Sequence, residues 1–378
     1  MLQLPAVVGE GAGLRQLRTR VRGFLEQWRT EHGEFAGIDT WLTAWDPEFT
    51  KALAEQGWLG MTIPIEYGGR GATFMDRFVV TEELLAAGAP VSAHWIADRQ
   101  IVPSLLAFGS PEQRQHFLPR IAAGTCWFGI GMSEPDSGSD LASVRSHAVA
   151  VDGGWRVNGS KVWTSGAHLA EAFFALVRTA PRDDAHRHAG LTQLIIDLSS
   201  PGVEVRPIQS MSGGHHFNEV LFTDVFVPDD RVLGRVGDGW RQVTSELAYE
   251  RSGPERFLST QGLLEAMVAN ADLFDAAGLG RTIATVYGLH QMSTAIAHEL
   301  QAGEKPNAAA AVVKILGTTL EGDVADMADL QLRELGADVD TSLHTALVDS
   351  VMQRPGFTLR GGTTEVLRGI LARELGLR

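Results

Sequence analysis

Residues 126–165, CWFGIGMSEPDSGSDLASVRSHAVAVDGGWRVNGSKVWTS, contain the change of pattern that decides the fold. In this stretch, short runs rich in β-branched and aromatic residues replace helical spacing. Two turn signals, Asp152-Gly153 and Asn158-Gly159, separate those runs, and pairs of this type are typical of β-hairpins. The stretch therefore predicts that strands begin here and that SHAVAV, WRV and KVWTS are separate strands.

Helical spacing precedes and follows this stretch. In residues 14–28, apolar side chains recur every three or four positions with arginines between them, which is typical of an amphipathic helix. The helical pattern continues through SPEQRQHFLPRIAAG and returns after residue 230, for example in AAAAVVKILGTTL. Between these parts lie the further strand-like runs FFALVRT, LTQLIIDL, VEVRPI and EVLFTDVFVP. The order is thus helices, strands, helices.

This order predicts a mainly α protein of the α+β class with three domains. We expect an N-terminal helical domain over residues 1–123, a central β barrel or sandwich over 124–230 and a C-terminal helical bundle over 231–378. Strands grouped between helices are not the alternating pattern of a doubly wound sheet. The glycine-rich GEGAG at residues 9–13 has no strand before it, so a Rossmann dinucleotide-binding domain is disfavoured.

Composition narrows the class of protein. The chain has 378 residues, 44% hydrophobic and 21% charged, as in a globular protein of two or three packed units. Its net charge, 32 − 46 = −14, disfavours nucleic acid and anionic membranes as partners. The sequence has no apolar run of membrane-spanning length and starts without a basic leader, so we expect a cytoplasmic protein. The lone Cys126 predicts no internal disulfide and no cysteine-based metal site, and we expect no metal.

Two segments carry the residue types of a cofactor site. GMSEPDSGSD, residues 131–140, combines small residues with hydroxyls, which let a phosphate or a flat heterocycle approach the backbone closely. An ordinary Ser/Gly/Asp turn is the alternative interpretation. KVWTSG, residues 161–166, adds an aromatic face at Trp163 and hydroxyls at Thr164 and Ser165, although a lone Trp is more often part of a core. Together the segments favour a ring-binding site in the β domain.

A third candidate is the acid Glu250 in GWRQVTSELAYERSG. Helical spacing places Glu250 or Arg251 on the same stripe as Trp240 and Val243, so that the Glu250 side chain points toward apolar neighbours. A buried carboxylate must be paired or have a raised pKa, and a raised pKa suits a general base near neutral pH. An ion pair at the helix end is the alternative interpretation.

Together these segments resemble the acyl-CoA dehydrogenase family, flavoproteins that desaturate acyl thioesters between Cα and Cβ. The resemblance covers nearly the whole chain, through the YGGRG loop, GMSEPDSGSD, KVWTSG, the YER helix and the C-terminal GGTTEVLRGILAREL. It implies an N-terminal helical domain, a central β barrel and a C-terminal four-helix bundle, assembled as a dimer or a dimer of dimers.

The resemblance implies FAD as the cofactor. The residues implied in binding FAD are Ile130, Met132, Ser133, Gly138, Ser139, Trp163, Ser165 and Thr363. Among them, Ser133 and Ser165 are implied to hydrogen-bond the isoalloxazine ring, Ser165 near N5, and Trp163 is implied to cover one face of the ring. Ser139 is implied to lie near the pyrophosphate or the CoA arm, and so to contact substrate as well.

The resemblance also implies the catalytic residues. Most members carry a Glu directly before the Gly-Thr of the C-terminal motif, where this chain has Gly361. A minority, isovaleryl-CoA dehydrogenase among them, use a Glu before the Arg of the helix that opens the C-terminal domain, which here is Glu250 before Arg251. Glu250 is then implied to remove the α proton while the Gly361 N–H polarises the thioester carbonyl. Arg251 and Trp95 are implied to contact substrate, with core packing as the alternative for Trp95.

Two departures from the family pattern leave alternatives open. Members usually bind the ADP half of a neighbouring subunit's FAD with R-x-x-F-G and Q-x-x-G-G-x-G motifs, where this chain has GLGRTIATVYG and RELGADVDTSLHTA. The implied partners are an acyl-CoA, an electron-transfer flavoprotein, and either a second copy or a paralogous subunit, as in some actinobacterial relatives that act on steroid side chains. The main alternative is a non-catalytic or half-site partner subunit, and a third is a flavin oxidase or monooxygenase. The acyl group and its carrier, CoA or a carrier protein, stay open.

Overall fold

The structure is a computed structural model that describes residues 5–6, 9–35, 37–304, 306–335 and 340–377, without the side chains of residues 246–250. Most of this part of the chain is helical. The α-helices are α1 (Ala12–His32), α2 (Thr40–Thr43), α3 (Pro47–Glu55), α4 (Phe74–Ala86), α5 (Ser92–Ile96), α6 (Val102–Phe108), α7 (Pro111–Ala122), α8 (Gly239–Arg251), α9 (Gln261–Ala269), α10 (Ala276–Gln301), α11 (Asn307–Leu335), α12 (Thr341–Phe357) and α13 (Thr364–Glu374). A π-helical turn, Ala97–Ile101, joins α5 to α6.

One sheet of seven strands lies between α7 and α8 in the chain. The strands are β1 (Phe128–Gly131), β2 (His147–Val151), β3 (Gly154–Ser165), β4 (Ala172–Arg178), β5 (Leu191–Asp197), β6 (Val203–Ile208) and β7 (Phe217–Pro228). They pair in the order β1-β4-β2-β3-β7-β6, with β5 added to β4. The pairs β3–β7 and β6–β7 are antiparallel, and β1 runs parallel to β4. The predicted order of helices, strands and helices is confirmed.

The chain divides into two compact units. The helical unit comprises Met1–Trp45, Ala72–Val91 and Glu250–Arg378. The sheet unit comprises Asp46–Gly71 and Ser92–Tyr249. The three-domain boundaries at residues 123 and 230 stay a prediction.

The strands of the sheet unit form because their apolar residues are buried. All seven residues of β4 are buried, which agrees with the apolar run of its first six residues, and the buried Arg178 at its end donates to the carbonyl oxygen of Val144. Phe173 packs with Val220 in one cluster, whereas Phe174 packs with Leu105 and Phe117 of α6 and α7 in another. Neighbouring residues fall in different clusters because successive side chains of a strand point to opposite faces. The helices therefore cover one face of the sheet.

The helical unit is built around its long helices. Phe78 of α4 packs with Ala297 of α10. On α11, a Cβ added at Gly317 would lie 2.2 Å from the carbonyl oxygen of Arg256. The missing side chain therefore lets the 3₁₀ turn Pro254–Arg256 lie directly against α11.

The predicted turn at Asn158-Gly159 is wrong. β3 continues through both residues, and its register with β7 shifts at this point. Gly159 has a φ of +140°, and a Cβ there would lie 2.3 Å from the Oγ atom of Ser146. The pair therefore forms a bulge within a long strand rather than a hairpin turn. The Asp152-Gly153 prediction is confirmed, since these residues join β2 to β3.

No described helix is both long enough and apolar enough to cross a membrane. Nowhere in the described part of the chain do three or more His, Cys, Asp or Glu side chains form a group that could hold a metal ion. Burial raises the pKa of the Cys126 thiol to about 12, so the thiol stays protonated at neutral pH.

Candidate functional site

Hydrogen bonds join the loop after β1 to the end of β3. The Val162 N–H donates to the carbonyl oxygen of Ser133 over 2.9 Å. The Lys161 ammonium donates to the carbonyl oxygen of Met132 over 3.2 Å. GMSEPDSGSD and KVWTSG, which are distant in sequence, therefore lie side by side in the sheet unit. This is the arrangement that a single ring-binding site requires.

A buried ion pair underlies this junction. Lys161 is completely buried, and its Nζ lies 2.7 Å from Oε1 of Glu134. Glu134 also accepts the N–H groups of Ser146, at 2.9 Å, and Arg145, at 2.6 Å. Burial lowers the pKa of the Lys161 ammonium to about 8, with Glu134 opposing the shift. Burial alone would raise the pKa of Glu134, but Lys161 and the Arg145 N–H hold it below its usual range.

The sequence analysis missed the Lys161–Glu134 pair. Regular strand alternation places Lys161 and Trp163 on the same face, which favours two exposed side chains. A second register shift of β3, between Lys161 and Thr164, breaks that alternation, so Lys161 is buried while Trp163 is exposed. The sequence signal was weak, because Glu134 is one of three acidic residues in GMSEPDSGSD and Lys161 is the one basic residue of KVWTSG.

Trp163 lies in this second bulge of β3. Its φ is +61°, a conformation that is costly for a bulky side chain. The indole is 59% exposed and meets Phe217 edge-on, with ring centroids 5.7 Å apart. The interpretation of Trp163 as a core residue is therefore wrong. A strained backbone that holds an exposed aromatic ring is typical of a binding surface.

The other predicted cofactor residues of the sheet unit lie on the same two segments. The half-buried ones are Ile130, Met132, Ser133 and Ser165, and the exposed ones are Gly138 and Ser139. A Cβ added at Gly138 meets no atom within 4 Å, so the loop backbone is open there. Ser165 is the last residue of β3 and pairs with Phe217. The hydrogen bonds between the two segments thus bring Met132 and Ser133 close to the end of β3, which carries Trp163 and Ser165.

A glycine turn in the helical unit carries the predicted oxyanion donor. Gly361 and Gly362 have φ of +70° and +91°, which favours glycine at both positions. The Nε of Arg251 donates to the carbonyl oxygen of Gly361 over 3.3 Å. A Cβ at Gly361 would lie 3.0 Å from the Arg256 guanidinium. Thr363 caps α13, since its Oγ1 accepts the Val366 N–H over 3.3 Å.

The roles of all the predicted site residues stay predictions, including those of Glu250 and Trp95. Glu250 lies in α8, but its side chain is outside the described part of the chain. Trp95 is buried in α5, and the Arg99 guanidinium lies 4.9 Å from its ring centroid. Arg99 belongs to the π-helical turn, and turns of this kind are frequent at functional sites. The burial of Trp95 agrees with core packing.

Known proteins show a close relationship to this chain. Residues 12–125 match the family described as "Acyl-CoA dehydrogenase, N-terminal domain", and residues 129–225 match "Acyl-CoA dehydrogenase, middle domain". Acyl-CoA dehydrogenase FadE29 of Mycobacterium tuberculosis is 33% identical over 335 residues, which are 85% of this chain and 86% of that protein. The chain therefore belongs to the acyl-CoA dehydrogenase family.

Not every relative matches over its full length. Acyl-CoA dehydrogenase FadE34 of Mycobacterium tuberculosis is 36% identical over 338 residues, which are 86% of this chain but 45% of that protein. The chain spans about half the length of several of the curated relatives that it matches.

A solved structure shows the same architecture. The steroid ACAD Tcur3481-Tcur3483 superposes with a TM-score of 0.85 at 28% identity, and the match covers 98% of each chain. The predicted fold, with helices before and after a central β domain, is confirmed by this similarity.

Proposed function

We propose that the protein catalyses FAD-dependent α,β-dehydrogenation of an acyl-CoA thioester. The observation that carries this proposal is the junction of the two motifs, in which the Val162 N–H bonds to Ser133 while the neighbouring Trp163 indole stays exposed. Membership of the acyl-CoA dehydrogenase family supports the same class of reaction. Without the junction, the motifs would be two unrelated segments.

The residues of the junction fit an isoalloxazine ring. Such a ring needs an aromatic face, hydrogen-bonding groups at its edge and close approach to the backbone. Trp163 offers an exposed face, and two half-buried serines lie near it: Ser165 two residues further along β3, and Ser133 through its hydrogen bond with the Val162 N–H. The open backbone at Gly138 suits the pyrophosphate, for which Ser139 adds a hydroxyl. We propose that these residues hold FAD, together with Ile130, Met132 and Thr363.

Two groups of the chain are proposed to act in removing the α proton. Bound FAD supplies the acceptor for the hydride equivalent that leaves Cβ. In our proposal Glu250 accepts the Cα proton, and the Gly361 N–H donates to the thioester carbonyl, which makes that proton more acidic. The Arg251 hydrogen bond holds the carbonyl group of Gly361. Because Gly361 has no side chain and faces Arg256, the base has to come from another position, and Glu250 is our candidate.

Anaerobic titration of the purified protein with acyl-CoA tests this proposal. We expect loss of the oxidised flavin absorbance, and we expect Glu250→Gln to slow that loss at least about a hundredfold, because general-base catalysis contributes 10²–10⁴-fold. Glu246→Gln, one turn earlier on α8, is the matched control and should react like the parent protein. Wild-type rates in Glu250→Gln would remove Glu250 from the mechanism.

A second candidate function is that of one subunit in a pair of paralogues. The similar structure is named for two components, Tcur3481 and Tcur3483. The segments GLGRTIATVYG and RELGADVDTSLHTA also depart from the usual ADP-binding motifs. Counting FAD per chain in protein expressed alone separates the candidates. One FAD per chain in a homo-oligomer supports the first, and FAD bound only after a paralogue is co-expressed supports the second.

The name of the same structure favours a steroid acyl thioester as the substrate. We propose an electron-transfer flavoprotein as the acceptor of the electrons. Rates with steroid side-chain and straight-chain acyl-CoA esters, measured on one preparation, test the substrate class. Equal or faster turnover of the straight-chain esters would contradict the steroid preference. Flavin reoxidation by oxygen alone would instead favour an oxidase.

A further inference from the structure

A cluster of buried charges lies in the helical unit around Trp41. Its acidic members are Asp39, Glu255 and Glu321, and its basic members are Arg256 and Arg360. We call these five residues the Trp41 cluster. Three carboxyl groups against two guanidinium groups leave the cluster without charge balance when every group is ionised.

The two arginines hold fixed positions against aromatic rings. The Arg360 guanidinium lies 4.7 Å from the Trp41 ring centroid and 5.2 Å from that of Phe357. The Arg256 guanidinium lies 5.4 Å from the Trp41 centroid. Arg360 donates to Asp39 through Nη1, so one carboxylate of the cluster is paired directly. Both guanidiniums therefore lie within cation–π distance of the Trp41 ring.

Among the described residues, Asp39 pairs with Arg360 and Glu255 with Arg256, whereas Glu321 forms no ion pair with either arginine. Glu321 lies on α11, is completely buried, and accepts the Ser259 N–H over 2.8 Å through Oε1. Within the described residues, Oε2 of Glu321 and the Nε and Nη2 atoms of Arg360 have no hydrogen-bond partner. Burial raises the pKa of Glu321 to about 7, with Arg360 opposing the shift and Asp39 adding to it. Glu321 thus has one oxygen without a donor, and Arg360, whose positive charge acts on Glu321, has two N–H groups without an acceptor among the described residues.

The cluster adjoins the glycine turn of the candidate site. Arg360 directly precedes Gly361 in the chain, and the Arg256 guanidinium fills the space where a Gly361 side chain would begin. The Arg256 guanidinium is therefore packed against the turn that carries the Gly361 N–H, and the backbone of Arg360 leads directly into that turn. The neighbouring ion pair of Arg354 with Asp326 lies beside Gly322, on the next position of α11.

We propose that Glu321 is a positioning residue whose proton decides how Arg360 supports the Gly361 turn. Neutral Glu321 leaves Arg360 to Asp39, whereas ionised Glu321 competes with Asp39 for the unpaired Nε and Nη2 donors. The charged groups that face Glu321 are Asp39 and Arg360, with Glu255 and Arg256 on the turn packed against α11. The effect on catalysis rests on the proposed function, but the effect on stability does not.

The raised pKa of Glu321 determines how the stability of the protein changes with pH. Because folding raises the pKa of Glu321 from 4.5 to about 7, the folded state binds a proton more tightly than the unfolded chain. The stabilising contribution is complete below the lower value and is lost as the pH rises through about 7. Glutamine mimics the protonated carboxyl and lacks this loss.

Thermal unfolding of Glu321→Gln and the parent protein from pH 5 to pH 8 tests the proposal. We expect the two midpoints to be similar at pH 5, where most of the contribution is still present, and the midpoint of Glu321→Gln to be higher than the parent's at pH 8. Glu334→Gln, at an exposed position of the same helix, should follow the parent at both pH values. Asp39→Asn should lower the pH at which stability falls, because Arg360 then has no competing carboxylate at position 39 and stabilises ionised Glu321 more strongly. Parallel curves for Glu321→Gln and the parent, or failure of Glu321→Gln to fold at pH 8, would overturn the proposal.

Anaerobic titration with acyl-CoA tests the effect of Glu321 on catalysis. We expect the parent's rate to change across pH 7 and that of Glu321→Gln to lose this change, with the substrate KM unaltered in both. A pH-independent difference in rate would mean that Glu321 has only a structural role. If no thioester reduces the flavin, the proposed function fails while the unfolding experiment still decides the role of Glu321 in stability.

Discussion

The Lys161–Glu134 pair and the Trp41 cluster are both buried and ionic, yet they differ in charge balance. In the sheet unit one ammonium meets one carboxylate, and both oxygens of that carboxylate accept hydrogen bonds. In the helical unit three carboxyl groups share two guanidiniums, and one oxygen of Glu321 has no donor among the described residues. A balanced and fully hydrogen-bonded pair fixes a loop. In an unbalanced cluster, we propose, one carboxyl group stays protonated and loses its proton as the pH rises.

The largest expected effect comes from breaking the balanced pair. Lys161→Met should lower the free energy of unfolding by about 3–5 kcal/mol, because it leaves the Glu134 carboxylate buried without its cation. Urea unfolding measures this loss. The double variant Lys161→Met/Glu134→Gln should recover part of the stability, since no buried charge is then left. A double variant less stable than Lys161→Met would show that Glu134 does not depend on Lys161.

The sequence was informative where local chemistry and chain order decide the structure. Helical and strand periods predicted the order of elements, because burial of apolar stripes sets those periods. The family resemblance placed Ser133, Trp163 and Gly361 in functional segments, and the structure joins the first two through Val162.

Bulges are where sequence reasoning was wrong. A bulge adds one residue to one strand, so it reverses which side chains are buried, and no local propensity announces it. At Asn158-Gly159 a bulge took the place of the predicted turn, and before Thr164 another exposed Trp163 and buried Lys161. The Trp41 cluster was also missed, because Asp39, Glu321 and Arg360 are far apart in sequence.

A smaller effect on stability is expected at Trp163, where the strained backbone costs stability while the indole is proposed to bind FAD. Trp163→Gly removes a left-handed penalty of about 1–2 kcal/mol and a Phe217 contact worth about 0.5–1.5 kcal/mol, so the stability of the FAD-free protein should change little. FAD affinity should fall about tenfold, since stacking on an aromatic ring is worth about 1–3 kcal/mol. Fluorescence titration with FAD measures the affinity.

Trp163→Phe is the matched variant, because it keeps an aromatic face on the same backbone. It should retain most of the FAD affinity. A loss of several kcal/mol of stability in Trp163→Gly would mean that Trp163 supports the fold more than the cofactor.

The smallest expected effect tests the contact between the Trp41 cluster and the glycine turn. Gly361→Ala should lower the free energy of unfolding by about 1 kcal/mol, because the residue has a φ of +70° and its new Cβ would meet the Arg256 guanidinium at 3.0 Å. Gly356→Ala, in α12, is the control: it has no atom within 4 Å of its added Cβ and should be neutral or stabilising. If both variants lose the same stability, the turn is not held against Arg256. Gly361→Ala is then also made in the Arg256→Lys variant. If it lowers the stability of the parent protein but not that of Arg256→Lys, the guanidinium rather than the left-handed backbone sets the requirement for glycine.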